Sequence, residues 1–166
     1  MLTAHELFGF MPPDLASKIL QATHESDRDL YRATLAAVAQ ARKVRPVFLS
    51  RQPRAEQHKS VITTLARPTM DTAAAGLIRG WLLKHQKPLL GQFLDSLGLA
   101  HKEGVVDDLP EAMEDAKLAS AIDGILATYP PEVVILYLHA FHDMNEARWD
   151  NLKKALEQDP RLQFAG

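Results

Sequence analysis

The residues best able to do chemistry in this chain stand close together: His139-Ala140-Phe141-His142-Asp143. On a helix, two histidines three residues apart share a face. Their ring nitrogens could take adjacent positions on a divalent metal, with Asp143 offering an oxygen. Asp95 falls opposite His139 when the chain is aligned with itself at a shift of 44 residues. That makes His139, His142 and Asp95 the candidate metal set, with His85 and His101 as further sources of nitrogen. The framework around them is thin. No His-Glu-x-x-His motif and no second histidine pair at ligand spacing occur, and Glu132 is the one glutamate on the same helix. A plain structural use competes, because an imidazolium near a helix C-terminus complements the dipole. The structural use is the stronger expectation, and no cofactor is expected.

Other chemistries find less support. The chain contains no cysteine, which removes disulfides, thiolate metal sites and cysteine nucleophiles. No serine lies in a Gly-x-Ser-x-Gly elbow. The carboxylate pairs Asp107-Asp108 and Glu114-Asp115 sit in polar stretches where nothing would raise a pKa by burial, so no catalytic residue is assigned. Gly76 and Gly80 form a Gly-x-x-x-Gly on a helix, which is a packing feature without the strand–loop–helix setting of a phosphate cradle.

Charge is distributed unevenly. Between Ala41 and Arg67 stand Arg42, Lys43, Arg45, Arg51, Arg54, Lys59 and Arg67 against the single acid Glu56. Between Asp95 and Asp115 stand Asp95, Glu103, Asp107, Asp108, Glu111, Glu114 and Asp115 against Lys102. The two poles nearly cancel, leaving a net charge of −2. Arg45, Arg51, Arg54 and Lys59 are the candidate anion- or partner-binding residues, since guanidinium groups grip carboxylates and phosphates bidentately. Internal pairing or simple solvation of the two poles ranks first. A homodimer joined pole to pole ranks second, and nucleic acid on segment 42–67 last, because only Phe48 interleaves the basic stretch and the pI is about 6.4.

The elements that must position these residues read as helices throughout. Thr3-Ala4-His5-Glu6 forms a capping box, and the helix it opens stops near Phe10, before Pro12-Pro13. Pro12-Pro13-Asp14 starts a second helix, and Ser26-Asp27-Arg28-Asp29 opens a third that runs through Leu30, Ala37 and Ala41. Pro46 and Pro53 bracket Val47-Phe48-Leu49, read as an extended strap with Phe48 packed inward. Helices follow from about Arg54, from Asp71 and from Pro88, the last closed by Gly98. After a polar connection from His101 to Asp115, three more are expected: Asp115–Tyr129, Pro131–His142 and Glu146–Gln158. Val133-Val134-Ile135-Leu136-Tyr137-Leu138 has no polar face, so its helix must be surrounded.

Shifting the chain by 44 residues aligns residues 75–97 with 119–141, matching Ala75 with Ala119, Ile78 with Ile122, Gly80 with Gly124, Leu82 with Leu126 and Leu94 with Leu138. Each copy is a helix carrying a central glycine, a proline-marked break and an apolar helix. Two stacked hairpins would result, each glycine admitting a neighbouring helix.

The 166 residues, 46% hydrophobic and 24% charged, therefore predict one all-α domain, a bundle of seven or eight helices. With no leader-like or spanning segment visible, a cytoplasmic protein without membrane contact is expected. A non-catalytic binding or protein-interaction module is the leading function. A metal-dependent, hydrolase-like enzyme built on the His/Asp cluster and a nucleic-acid binder are the alternatives.

Overall fold

The structure, a computed structural model, describes residues 1–145 and 148–165. Those residues form ten α-helices and two short 3-10 turns, and the only strand-like feature among them is an isolated bridge between Lys102 and Val105. The all-α expectation holds. The count exceeds seven or eight because each of the nine helices read from the sequence forms a helix of its own among the described residues, and one more, Pro46–Ser50, forms where a strap was expected. No described helix is long and apolar enough to cross a membrane.

The chain folds into two compact units, Thr3–Trp81 and, together with Met1–Leu2, the chain from Leu82 onward. In the first lie α1 (Ala4–Phe10), α2 (Pro13–Ser26), α3 (Arg28–Arg42), α4 (Pro46–Ser50) and α5 (Arg54–Leu65). A 3-10 turn over Pro68–Met70 leads into α6 (Asp71–His85), whose last residues pass into the second unit. The Thr3 backbone N–H donates to the Glu6 carboxylate at 3.2 Å, and the Thr3 hydroxyl donates to it at 2.8 Å, so the capping box is in place. Asp27 accepts from the N–H of Leu30 at the start of α3. Around α3 pack α2, α4 and α5, over a core that includes Ile19, Leu20, Val38, Leu49, Val61 and Leu65, all fully buried.

In the second unit are α7 (Lys87–Ser96), α8 (Asp115–Thr128), α9 (Pro131–Met144), α10 (Asp150–Gln158) and a 3-10 turn over Pro160–Leu162. The expected start of the last helix at Glu146 lies outside the described residues, and the described helix begins at Asp150. Gly98 has φ +72°, as a residue closing α7 requires. Every residue from Val133 to Ala140 is buried, so α9 is the surrounded helix its composition demanded. Phe93, Tyr137, Phe141 and Trp149 form a chain of edge and tilted ring contacts with centroids 5.5–5.9 Å apart. Trp149 donates its indole N–H to Pro110 O at 2.7 Å, and the Asn151 amide donates to Met113 O at 2.6 Å, which pins the acidic connection to the start of α10.

The two repeat-aligned glycines have different surroundings. A Cβ on Gly80 would sit 2.5 Å from Leu30 Cδ2, so this glycine leaves room for the end of the Leu30 side chain. A Cβ on Gly124 would meet only the Gln92 amide at 3.6 Å, an ordinary contact.

Candidate functional site

The basic stretch begins where α3 ends. Lys43 takes the left-handed conformation at φ 58°, and Val44 donates its N–H back to Ala39 O at 2.9 Å, which turns the chain sharply off the helix. Arg45 is extended, and Pro46 then occupies the first turn of α4, where a missing N–H costs nothing. The extended strap is thus corrected to a five-residue helix. With it changes the fate of Phe48. One short helix against α3 can bury only one side of itself, and Leu49 takes the inward place at 0% exposure. Val47 and Phe48 face out, at 47% and 56% exposed.

The result is an apolar knuckle edged with cations. Val44, Val47 and Phe48, together with Arg45, Arg51 and Gln52, line an open groove of about 540 Å³. Among the described residues, no ion pair includes Arg45, Arg51, Arg54 or Lys59. Asp107, Asp108, Glu111 and Glu114 likewise enter none, and all four are exposed on the connection before α8, as is Val105 at 41%. Internal pairing of these residues is therefore not what the described ion pairs consist of.

A second constellation, unseen in the sequence, forms where α2, α3 and α5 meet. Arg54, at the start of α5, donates to Gln21 Oε1 at 3.2 Å and to His24 Nε2 at 3.3 Å. Because a guanidinium only donates, His24 is neutral here with its proton on Nδ1. The His24 ring meets the Tyr31 ring edge-on at 4.8 Å, and the Tyr31 hydroxyl donates to Gln57, whose amide donates to Leu49 O at 2.9 Å. His58, one turn beyond Arg54, is 7% exposed, and its Nε2 has no hydrogen-bond partner among the described residues. Burial first, then the cations Arg54 and Arg28, hold the His24 pKa below its ordinary value, against Glu25. Burial, Arg54 and His24 do the same to His58. Only the spacing of Gln21 with His24, and of Arg54 with His58, was visible beforehand, and nothing in it says that α2 meets α5.

The candidate metal residues are differently occupied. His139 is 1% exposed; its Nδ1 accepts from the backbone N–H of Leu2 at 3.0 Å, and its Nε2 donates to Leu162 O at 2.8 Å. Neither nitrogen is left for a metal in this arrangement. His142 is 2% exposed, and its two nitrogens have no hydrogen-bond partner among the described residues. Burial depresses its pKa, Arg148 and Lys153 depress it further, and Asp143 opposes them. Asp95 is exposed and accepts from His101 Nε2 at 2.8 Å, while His101 Nδ1 accepts from Gly104 N–H at 3.1 Å. His85 closes α6. Among the described residues, no three His, Asp or Glu side chains are grouped so as to hold a metal ion.

Compared with protein-family models, with curated proteins and with solved structures, the chain matches none.

Proposed function

We propose that this chain is a non-catalytic, cytoplasmic interaction module that docks an acidic polypeptide segment on the α4 knuckle, and that the occupant is the segment Val105–Asp115 of a second copy. The observation that carries the reading is the exposure of Phe48 and Val47 between two arginines that no described acid neutralises. Large apolar side chains left in water mark contact surfaces, and the flanking charge selects the partner. The acidic segment offers the complement: exposed carboxylates with Val105 exposed among them. The units themselves are polarised. Thr3–Trp81 carries 11 Lys and Arg against 7 Asp and Glu, whereas the chain from Leu82 onward carries 8 against 14. Each copy therefore brings one surface of each sign, as a reciprocal dimer needs. The repeat reading is kept alongside, supported by the helix–proline–helix order of α6–α7 and α8–α9.

Light scattering at low and high salt tests this, with a synthetic peptide of residues 103–115 titrated in parallel. The reading expects a dimer that loosens as salt rises, competed by the peptide, and weakened about tenfold or more by Phe48→Ser. A monomer at every salt concentration that also ignores the peptide would overturn it. A salt-sensitive shift of mixed-sequence DNA or RNA, abolished by Arg45→Glu with Arg51→Glu, would replace it with the nucleic-acid reading.

A further inference from the structure

Arg54 is held in place without being neutralised. Its two acceptors, Gln21 Oε1 and His24 Nε2, are both uncharged. Gln21 passes its own amide to Glu25 at 2.7 Å, so the Glu25 carboxylate is linked to Arg54 through the Gln21 side chain. Arg28 adds a second cation close enough to act on His24 through space. Below Arg54 lies His58, buried, with a ring nitrogen that nothing described satisfies. Unpartnered buried nitrogens are uncommon in folded proteins and ask for an explanation. Two guanidinium groups, Arg28 from α3 and Arg54 from α5, and two neutral imidazoles, His24 from α2 and His58 from α5, thus come to one place.

We infer that Arg54, His24 and Arg28 form a site for a tetrahedral, phosphate-type oxyanion, with His58 as the inner positive reserve. Two oxygens of such an anion suit the guanidinium fork, and charge-assisted bonds to it outmatch the neutral acceptors that Arg54 now uses. Once Arg54 turns to the anion, His24 Nε2 is released from accepting and can bind a proton, becoming a donor itself. The charged groups that act on His24 are Glu25 on α2, Arg28 on α3 and Arg54 on α5; the Tyr31 ring of α3 lies edge-on against it, and His58 of α5 is the other titratable group of the cluster. Anion binding should therefore take up a proton at His24, and the anion's charge should ease protonation of His58. This site is independent of the α4 knuckle, and either can fail alone.

The test follows histidine ring resonances by NMR during titration with sulfate, which stays a dianion throughout, at constant ionic strength. The His24 and His58 signals should move saturably and titrate at higher pH in the bound form, with sulfate held about tenfold more tightly near pH 6 than near pH 8. Arg54→Gln, a surface change, should remove saturation, and Arg54→Lys should weaken it by losing the fork. Inorganic phosphate and a phosphoserine peptide separate the sources. Tighter binding of the peptide assigns the site to a phosphorylated protein, and equal or weaker binding assigns it to free phosphate. Movements no greater than with chloride, or an Arg54→Gln variant that titrates like the parent, would overturn the inference.

Discussion

The backbone N–H of Leu2 donates to Nδ1 of His139 at 3.0 Å, and this one bond fixes the state of the imidazole. With Nδ1 accepting, the proton sits on Nε2, which donates to Leu162 O at 2.8 Å. His139 is therefore a neutral cross-brace between the start of the chain, α9 and the turn after α10. His139→Ala would leave the part-buried Leu2 N–H and the buried Leu162 O without this partner, at a cost of about 1–3 kcal/mol. Denaturant unfolding should show this loss equally with and without a chelator. A loss that appears only when zinc is present would instead make the residue a ligand.

Much of the helical layout was legible because its punctuation is local. Thr3 with Glu6, Asp27, Pro13, Asp71 and Gly98 each act within a turn of their own position, and each marks a helix boundary where expected. Segment 46–50 was misread because two prolines suggest extension, whereas Pro46 in a first turn suits a helix equally. Which of Phe48 and Leu49 goes inward depends on α3, which lies outside the local window. The roles of His24, His58 and His139 were hidden for the same reason: the partners of His24 and His139, Arg54 and Leu2, stand 30 and 137 residues away.

Stability should depend on pH through three buried histidines, His58, His139 and His142, and the partly covered His24. His24, His58, His139 and His142 all have folded pKa values held below the ordinary 6.5, mainly by burial. The unfolded chain then binds protons first as pH falls. Their contribution is complete above 6.5 and is lost as pH drops from there toward the folded values. The acids Glu6 and Asp159 are shifted down by bonds to Thr3 and Arg161, so their loss begins only below about 4.5. Urea midpoints should thus be level between about pH 7.5 and 8.5 and fall between about pH 6.5 and 5. A level midpoint across the lower range would contradict neutral, buried rings.

Truncations should separate core from surface within a few residues. Leu49→Ala and Leu138→Ala remove fully buried side chains and should each cost about 2–5 kcal/mol. Phe48→Ala should lie within about 0.5 kcal/mol of the parent in the monomer, because the ring is more than half exposed. Chemical denaturation of the three variants at low protein concentration checks the order. A large loss for Phe48→Ala would place that ring in the core.

The aligned glycines should respond differently to alanine. Gly124→Ala meets only ordinary contact and should gain about 0.5–1 kcal/mol from helix propensity. Gly80→Ala must displace Leu30 Cδ2 and should show no such gain. Thermal melts of the two variants side by side decide this, and equal gains would mean that Leu30 moves aside without cost.

The docking of an acidic segment on the α4 knuckle is tested most directly by exchanging the charges on both sides. One protein variant carries Arg45→Glu and Arg51→Glu, and one 103–115 peptide carries Asp107→Lys and Asp108→Lys. Calorimetric titration of both proteins with both peptides should find two binding pairs: parent with parent, and reversed with reversed. The crossed combinations should be at least about tenfold weaker, since like charges then face each other. A reversed protein that still binds the parent peptide with undiminished affinity, or a parent protein that binds neither peptide, would contradict the docking of Val105–Asp115 on α4.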